Sequence, residues 1–190
     1  MKKLLGIIVL CLVLSFNANA DDIKEFQIDG ISIGDSLLNY YSEAEIKKAL
    51  KYAYYYKDNK FVDVFFNPKS DSIYDDLQIT IKPKDESYKI FVLAGKILYK
   101  NNIEECYSEK EKTVTELKNI FSNEIKNRQV NGKHNADKSG KSNYESNIFE
   151  FNEGIIEFTC FDWSKKVTYT DNLMLAIKSD EFINFMQTAY

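Results

Sequence analysis

The chain has few of the side chains that hold metals or attack substrates. Its 190 residues include one histidine, His134, and three cysteines, and the two types form no cluster along the sequence. A zinc site needs three or four such ligands, so we expect no metal and no cofactor. His134 and Asp137 amount to half a metal site or one acid–base pair. Because no combination supplies a nucleophile, a base and an orienting group together, the sequence favours binding over catalysis.

Arginine is almost absent, and acidic residues outnumber basic ones. Arg128 is the single arginine, and 29 acidic against 25 basic residues give a net charge of −4. An acidic chain is a poor general binder of phosphate backbones. We therefore expect no nucleic-acid partner.

Beyond its N-terminus the chain has no apolar run long enough to cross a bilayer. The N-terminus has Lys2 and Lys3, an apolar run from Leu4 to Phe16 and a small-x-small sequence that ends at Ala20. This pattern predicts a secretory signal peptide at residues 1–20, removed on export together with Cys11. We expect one domain at residues 21–190 that does not span the membrane and that is periplasmic or secreted.

The hydrophobic pattern changes its period along the chain. Ser42 and Glu45 have the spacing of a capping box, and an apolar stripe from Ile46 to Tyr54 predicts a helix behind it. Further helices are predicted after Asn102 and at the C-terminus. Two-residue alternation or apolar runs predict six strands, at residues 61–66, 77–82, 88–98, 144–151, 155–163 and 172–178. This order predicts an α+β fold with antiparallel sheets packed by helices, a layout that a tandem α-β-β-β repeat would also produce.

The remaining segments are assigned to bulges, solvated faces and loops. Gly95, inside a long apolar strand, is the predicted bulge. The charged stretch Glu109–Lys112 is assigned to the solvated side of the second helix. Residues 126–146 are dense in Asn, Lys, Ser and Gly and are predicted to form a loop.

Cys106 and Cys160 are the two cysteines left after removal of the signal peptide. Cys106 shares a helix face with Val114, and Cys160 shares a strand face with Phe158, so both point between helix and sheet. Because exported proteins fold in an oxidising compartment, we expect a disulfide. The alternative is two buried free thiols that act as small apolar fillers and leave Cys160 as a candidate nucleophile paired with His134.

The stretch NADKSGKS, residues 135–142, differs by one residue from a nucleotide-binding loop. Gly140, Lys141 and Ser142 match the Walker A pattern, but Asn135 stands where the first glycine belongs. A phosphate-binding loop also needs a buried strand before it and a helix after it. Polar residues precede this stretch and a predicted strand follows it, so we expect no nucleotide site.

The same region is locally basic, since residues 126–145 contain five basic and two acidic side chains. Such a loop on an acidic protein could contact an anionic ligand or an envelope component such as a lipid head group or a polysaccharide. The candidate residues are Lys133, His134, Asp137, Lys138 and Lys141. The alternative is a solvated loop that its lysines keep soluble.

Aromatic side chains form a second candidate surface. Trp163 follows Asp162 at the end of a predicted strand. Because side chains alternate along a strand, Trp163 points away from the core or lies on the rim of the sheet. Tyr55 belongs to a dense tyrosine patch. Such rings stack on sugars or anchor a partner, although more often they simply cover the edge of a sheet.

Three stretches of the chain resemble small exported proteins of AT-rich marine alphaproteobacteria. They are IDGISIGDSLLNYYSEAEI near the mature N-terminus, HNADKSGKS in the basic loop and CFDWS at the end of a strand. That group has no assigned function, so the resemblance implies export and no particular catalytic or binding residue.

Two functions are compatible with the sequence. The preferred one is a non-catalytic binding or envelope-accessory domain whose partner the sequence does not identify. The alternative is an exported hydrolase that uses carboxylates such as Asp29, Asp35 and Asp162. A deep pocket that holds two of these acids would favour the enzyme, whereas a shallow aromatic surface would favour binding.

Overall fold

The computed structural model describes residues 23–100, 102–121 and 125–189. The predicted signal peptide and the predicted start of the mature chain lie outside the described residues. These residues form three α-helices, at Glu43–Leu50 (α1), Ile103–Phe121 (α2) and Asp180–Ala189 (α3). Short 3-10 turns occur at Ile23–Glu25, Leu37–Asn39 and Lys57–Asn59. No helix in the described part of the chain is both long enough and apolar enough to cross a bilayer.

Ten strands build two sheets within the described residues. They are Gln27–Ile28 (β1), Ile31–Ser32 (β2), Tyr54–Tyr55 (β3), Val62–Phe66 (β4), Asp76–Ile81 (β5), Ile90–Leu98 (β6), Lys126–Lys133 (β7), Asn143–Phe151 (β8), Gly154–Asp162 (β9) and Asn172–Ser179 (β10). β1 and β2 form a hairpin of their own, and the other eight form one antiparallel sheet in the order β3-β4-β5-β6-β10-β9-β8-β7.

The large sheet joins two meanders at their last strands, β6 and β10, which pair in the middle. Helices pack on it, so the predicted α+β class with an antiparallel sheet is confirmed. The symmetric strand order does not by itself show that the two meanders are a repeat, and the repeat stays a prediction.

One face of the sheet, which we call the core face, holds the main hydrophobic core. Alternate residues of a strand point to the same side, so each long strand contributes its apolar set to this face. The buried residues include Val64, Ile79, Leu93, Phe149, Phe158, Leu175 and Ile177. α1 packs against β4, and α2 packs against β9 and β10. Burial of this apolar surface stabilises the fold by about 25 cal/mol per Å².

A disulfide between Cys106 and Cys160 joins α2 to β9. The two Cα atoms are 6.0 Å apart, and both cysteines are fully buried in a cluster with Tyr99 and Leu173. The predicted pairing is confirmed. A cysteine held in a disulfide has no free thiolate, so the alternative of Cys160 as a nucleophile is wrong.

The capping box of α1 is present. The amide of Glu45 donates to the Ser42 hydroxyl at 3.4 Å, and the amide of Ser42 donates to the Glu45 carboxylate at 2.8 Å. The helix ends at Leu50 rather than at Tyr54, because Tyr54 pairs with Asp63 in the sheet. Strand pairing outweighs the helical stripe at this point.

Gly95 is not a bulge, which corrects the prediction. The register between β5 and β6 shifts between Thr80 and Ile81, whereas Gly95 pairs regularly with Leu175. The reason for a glycine is steric. A Cβ at this position would lie 2.4 Å from the ring of Tyr74, which packs directly on the backbone of β6.

The loop predicted across residues 126–146 is also wrong over most of its length. Lys126–Lys133 is strand β7, which pairs with β8 along its whole length. Only residues 134–142 connect the two strands. β7 is an edge strand with polar side chains on both faces, so it has none of the alternation that marks a half-buried strand.

The charged stretch of α2 is not solvated throughout. The side chain of Lys110 has 0% of its surface exposed, and its ammonium forms an ion pair with Glu145 on β8. Lys110 lies one turn after Cys106 and one turn before Val114. Helix geometry therefore places it on the inner face, and this spacing was readable from the sequence.

Candidate functional site

The second face of the large sheet, which we call the open face, is covered only in part by the described residues. Phe182 and Phe185 of α3 pack against Phe61 and Phe91, with the Phe61 ring centre 5.3 Å from Phe182 and 5.0 Å from Phe185. Next to this contact, α3 and the sheet border an open cleft of about 400 Å³. Ligand pockets in proteins have volumes in this range.

The floor of the cleft is one row of residues across the sheet. Six residues on consecutive strands from β5 to β7 stand opposite one another, in the order Gln78, Ala94, Ala176, Glu157, Ile148 and Arg128. The two alanines lie side by side on the central strands β6 and β10. Their side chains end at Cβ and have almost no exposed surface, so they form the base of the cleft beneath the larger side chains that line it.

The walls of the cleft are mainly apolar. The apolar side chains come from the sheet and from α3, and they are Val92, Ile155, Met174, Phe182, Ile183 and Met186. Polar groups enter at separate points, from Tyr56, Thr80, Lys178 and Gln187. Apolar walls with a few polar groups suit a ligand that has an apolar body and one or two polar substituents.

The charged groups of the cleft are paired. The Lys178 ammonium forms an ion pair with Glu157 on the neighbouring strand. Burial alone would raise the pKa of Glu157, but the charge and hydrogen bond of Lys178 outweigh it and hold that pKa below its usual value. Arg128 contacts the Glu150 carboxylate, with Nε 3.1 Å from Oε1. The Glu157 carboxylate is therefore ionised and held by a cation, which suits it to orienting a ligand more than to accepting a proton.

Asp63 supports one wall from behind. Its carboxylate, almost fully buried on β4, accepts hydrogen bonds from Tyr56 at 2.8 Å, from the Gln78 amide at 2.8 Å and from Thr80 at 2.5 Å. All three donors line the cleft. Burial raises the pKa of Asp63 above its ordinary value, and the hydrogen bonds only partly oppose this. Asp63 thus fixes the positions of three polar side chains at the wall.

The carboxylates proposed for a hydrolase do not meet. None of Asp29, Asp35 and Asp162 lines the cleft. Their side chains bind separate hydrogen-bond partners among the described residues, which are respectively Ser72, Tyr40 and Asn143. The cleft therefore holds no pair of these acids.

The stretch NADKSGKS is the turn between β7 and β8, and Asp137 holds it together. The Asp137 carboxylate accepts hydrogen bonds from the amides of Ser139 and Ser142, at 2.8 and 3.0 Å. It also accepts from the hydroxyls of Ser139, Ser142 and Ser164, at 2.9, 2.8 and 3.0 Å. These donors, Ser139 foremost, hold the pKa of Asp137 well below its usual range. A phosphate-binding loop offers free amides, whereas two amides here bind the turn's own carboxylate.

His134 and Trp163 lie together, although the sequence placed them in different candidate surfaces. Their ring centres are 4.4 Å apart, Phe161 lies 5.4 Å from His134, and Tyr169 lies 4.6 Å from Trp163. We call these four residues the aromatic cluster. Partial burial lowers the pKa of His134, which favours the neutral imidazole.

The other predicted site residues are dispersed. Tyr55 is exposed on β3, and strands β4, β5, β6 and β10 separate it from the β9 end that carries Trp163. Lys133 donates to the Asn143 side chain at 2.7 Å, and Lys138 and Lys141 are exposed on the turn. Trp163 and Tyr55 therefore do not form one surface. An anion-binding role for the lysines stays a prediction.

Among residues 23–100, 102–121 and 125–189, no three His, Cys, Asp or Glu side chains are placed to hold a metal ion. No family model, curated protein or solved structure matches the chain. The resemblance carried by the three sequence stretches therefore stays a prediction.

Sequence reasoning missed the cleft because its floor depends on strand register. Asp63, Gln78 and Thr80 alternate with apolar neighbours, so the sequence did predict that their side chains point away from the core. That Ala94 and Ala176 face each other was not readable, because β6 and β10 are far apart in the sequence.

Proposed function

We propose that this chain is a non-catalytic binding domain that works in the periplasm or outside the cell. It holds a small ligand with an apolar body and a polar group between α3 and the open face. The observation that carries the proposal is the cleft of about 400 Å³ with its alanine floor and apolar walls.

The charge arrangement supports binding over hydrolysis. Among the described residues, one carboxylate lines the cleft, that of Glu157, and Lys178 holds it, whereas the Asp63 carboxylate lies behind its three donors. A general acid–base pair needs groups free to exchange protons with the substrate. An ion pair beside apolar walls instead presents fixed charges that orient a polar ligand group.

The disulfide supports the proposed location, because such bonds persist in oxidising compartments. The test is the mass of the mature protein recovered from an export-competent host. We expect a chain that begins at Asp21. Soluble material that still carries residues 1–20 would contradict export.

The cleft itself is tested with two fluorescent dyes that share an apolar body. N-phenyl-1-naphthylamine is neutral, and 8-anilinonaphthalene-1-sulfonate adds an anionic group. Both are titrated into the folded protein, with the near-ultraviolet circular dichroism recorded to show that packing is intact. Ala176→Leu fills the floor of the cleft. Ala136→Leu, on the exposed turn, is the matched control.

We expect the wild-type protein and Ala136→Leu to bind at least one dye with equal affinity. Ala176→Leu should weaken that binding by at least about tenfold, equivalent to roughly 1.4 kcal/mol. Ala176 is fully buried, so the larger side chain also crowds its neighbours and should lower the melting temperature, and an unchanged near-ultraviolet circular dichroism spectrum shows that the fold is kept. Absence of dye binding in the wild type, or equal binding in Ala176→Leu, would refute the cleft as the site.

A further inference from the structure

The turn between β7 and β8 is joined to the loop at residues 163–171 that follows β9. Asp137 accepts a hydrogen bond from the Ser164 hydroxyl at 3.0 Å, and the Ser164 amide donates to the Ser142 hydroxyl at 3.0 Å. Within the second loop, the Trp163 amide donates to Asp171 at 2.7 Å. These bonds fix two loops against each other at the end of the sheet where the aromatic cluster lies.

The exposed charges of these two loops are positive. Five lysines lie on the two loops or at their boundary, and all are exposed: Lys133, Lys138, Lys141, Lys165 and Lys166. The acids of the same segments are turned inward or engaged. Asp137 is buried under its serine donors, and Asp171 binds the Trp163 amide. Five lysines against the three acids Asp137, Asp162 and Asp171 leave an excess of two positive charges on these loops of a chain whose net charge is −4.

The aromatic cluster lies between the same loops. Trp163 is half-buried between His134 and Tyr169, and Tyr169 has 59% of its surface exposed. Because the hydrogen bonds of Asp137 and Ser164 hold both loops, these rings are positioned before any ligand arrives. The arrangement combines fixed rings with exposed cationic side chains on the same two loops.

We propose that this end of the molecule binds an acidic polysaccharide, a chain of sugar rings that carry carboxylate or sulfate groups. Sugar rings stack on the exposed Tyr169, whose ring packs against Trp163, and the lysines bind the acidic groups. The surface lies on the turn and loop outside the cleft, so this second binding site is independent of the proposed cleft ligand.

Two features favour a polysaccharide over a membrane or a nucleic acid. Insertion into a bilayer needs apolar side chains that project beyond the lysines, whereas Trp163 packs between two other rings. Binding of a nucleic-acid strand needs a basic groove that follows several phosphates, whereas positive charge here is confined to two loops of an acidic chain.

The test measures binding of the mature protein to polygalacturonate by titration calorimetry, with neutral dextran as the uncharged comparison. The charge variant is Lys138→Glu with Lys141→Glu. Its control, Lys48→Glu with Lys51→Glu, makes the same charge change at exposed positions of α1 and its C-cap. The ring variant is Tyr169→Ala. Its control is Tyr52→Ala, at a tyrosine with 81% of its surface exposed.

We expect salt-dependent binding to polygalacturonate that the charge variant weakens by about tenfold. Tyr169→Ala should weaken it by roughly fivefold, the size of one aromatic contact. Both controls should bind like the wild type, and all variants should keep their melting temperatures within a few degrees. Ala176→Leu, which blocks the cleft, should bind polygalacturonate normally, so failure of one site is distinguishable from failure of the other.

Four outcomes would overturn the proposal. They are no binding to polygalacturonate, equal binding to neutral dextran, equal loss in the control variants, and preferential binding to another anionic surface. The last is measured with phosphatidylglycerol vesicles and with a single-stranded oligonucleotide. Tighter binding to either would assign the surface to a membrane or to a nucleic acid.

Discussion

The two faces of the large sheet are made by the same strands and differ in almost every other respect. The core face is apolar, is covered by α1 and α2 and is joined to α2 by the Cys106–Cys160 disulfide. The open face has alanines, hydroxyls and paired charges at the intervening positions, and α3 covers part of it. Two neighbours on β10 show the contrast: Leu175 lies in the core, and Met174 lines the cleft.

This difference teaches that alternation along a strand separates stability from recognition. A side chain on the core face is surrounded by packed neighbours, so its loss leaves a cavity. A partly exposed side chain of the open face, such as Met174, borders the cleft, where the structure already has free volume. Substitutions at such positions should therefore change ligand binding at little cost in stability.

The largest expected effect concerns the disulfide of the core face. Replacement of both cysteines by alanine should lower the free energy of unfolding by up to about 4 kcal/mol, because the bond closes a long loop in the unfolded chain. The sequence separation of the two cysteines is 54 residues. Urea unfolding of oxidised wild type and of the double variant measures the difference.

Dye binding to the cleft should survive this change wherever the double variant is still folded, since the disulfide lies against the other face. Ala136→Leu is again a suitable control for dye binding. A double variant as stable as the wild type would show that the covalent link contributes nothing to the core face.

The second prediction compares neighbours on β10. Leu175→Ala should destabilise the protein by about 3 kcal/mol, as buried leucines in cores do. Met174→Ala should cost less than about 1 kcal/mol, because its side chain already borders free space. Met174→Ala should instead change dye affinity. Equal losses of stability in the two variants would remove the distinction between the faces.

The third prediction tests a polar exception on the core face. Glu145→Gln keeps the shape of the side chain but removes the nearer counter-charge of the fully buried Lys110, which leaves Glu111 at 3.8 Å. We expect a loss of about 2 kcal/mol, below the usual cost of breaking a buried pair because the Glu145 side chain is 32% exposed.

Lys110→Met is the matched variant for this pair. It removes the buried charge itself and leaves Glu145 with access to water, so it should cost much less than Glu145→Gln in the same urea unfolding. A larger loss in Lys110→Met would mean that the attraction between the charges exceeds the cost of burying the ammonium.

Local patterns in the sequence predicted the parts of the fold that depend on near neighbours. The capping box at Ser42 and the alternation around Ile79 and Leu175 depend on residues a few positions apart, and the structure has them. The disulfide was predictable because two cysteines lie outside the predicted signal peptide and the helix and strand patterns place both side chains toward the core. Lys110 lies on the same helix face as Cys106 and Val114, but it was assigned to the solvated side because its neighbours in the sequence are charged.

The candidate sites depend on contacts between distant segments, which local patterns do not contain. The cleft exists because Ala94 meets Ala176, and this requires the pairing of β6 with β10. The aromatic cluster exists because β8 lies between β7 and β9, which brings His134 beside Trp163. β7 itself was missed because an edge strand with polar side chains on both faces shows no hydrophobic period.

The smallest expected effect concerns Asp63, the buried carboxylate of the open face. Its pKa in the folded protein is raised by burial above the ordinary value of 3.8. At a pH between the ordinary pKa of the unfolded chain and the raised pKa of the folded protein, Asp63 keeps its proton in the folded state and has lost it in the unfolded state. The unfolded state then binds fewer protons, so the contribution of Asp63 to stability falls as the pH rises through this interval, and it is constant at higher pH.

Asp63→Asn removes this titration and keeps most of the local hydrogen bonds. The Asn oxygen accepts from Thr80, and rotation of the Gln78 amide presents an oxygen to the new donor. We therefore expect the stability of the wild type, measured relative to Asp63→Asn, to decline as the pH rises above about 4 and then to level off. Urea unfolding of both proteins from about pH 3 to about pH 8 measures this difference, in which titrations common to both proteins cancel. A difference that stays constant with pH, or that increases in favour of the wild type, would mean that the hydrogen bonds from Tyr56, Gln78 and Thr80 outweigh the cost of burying the charge.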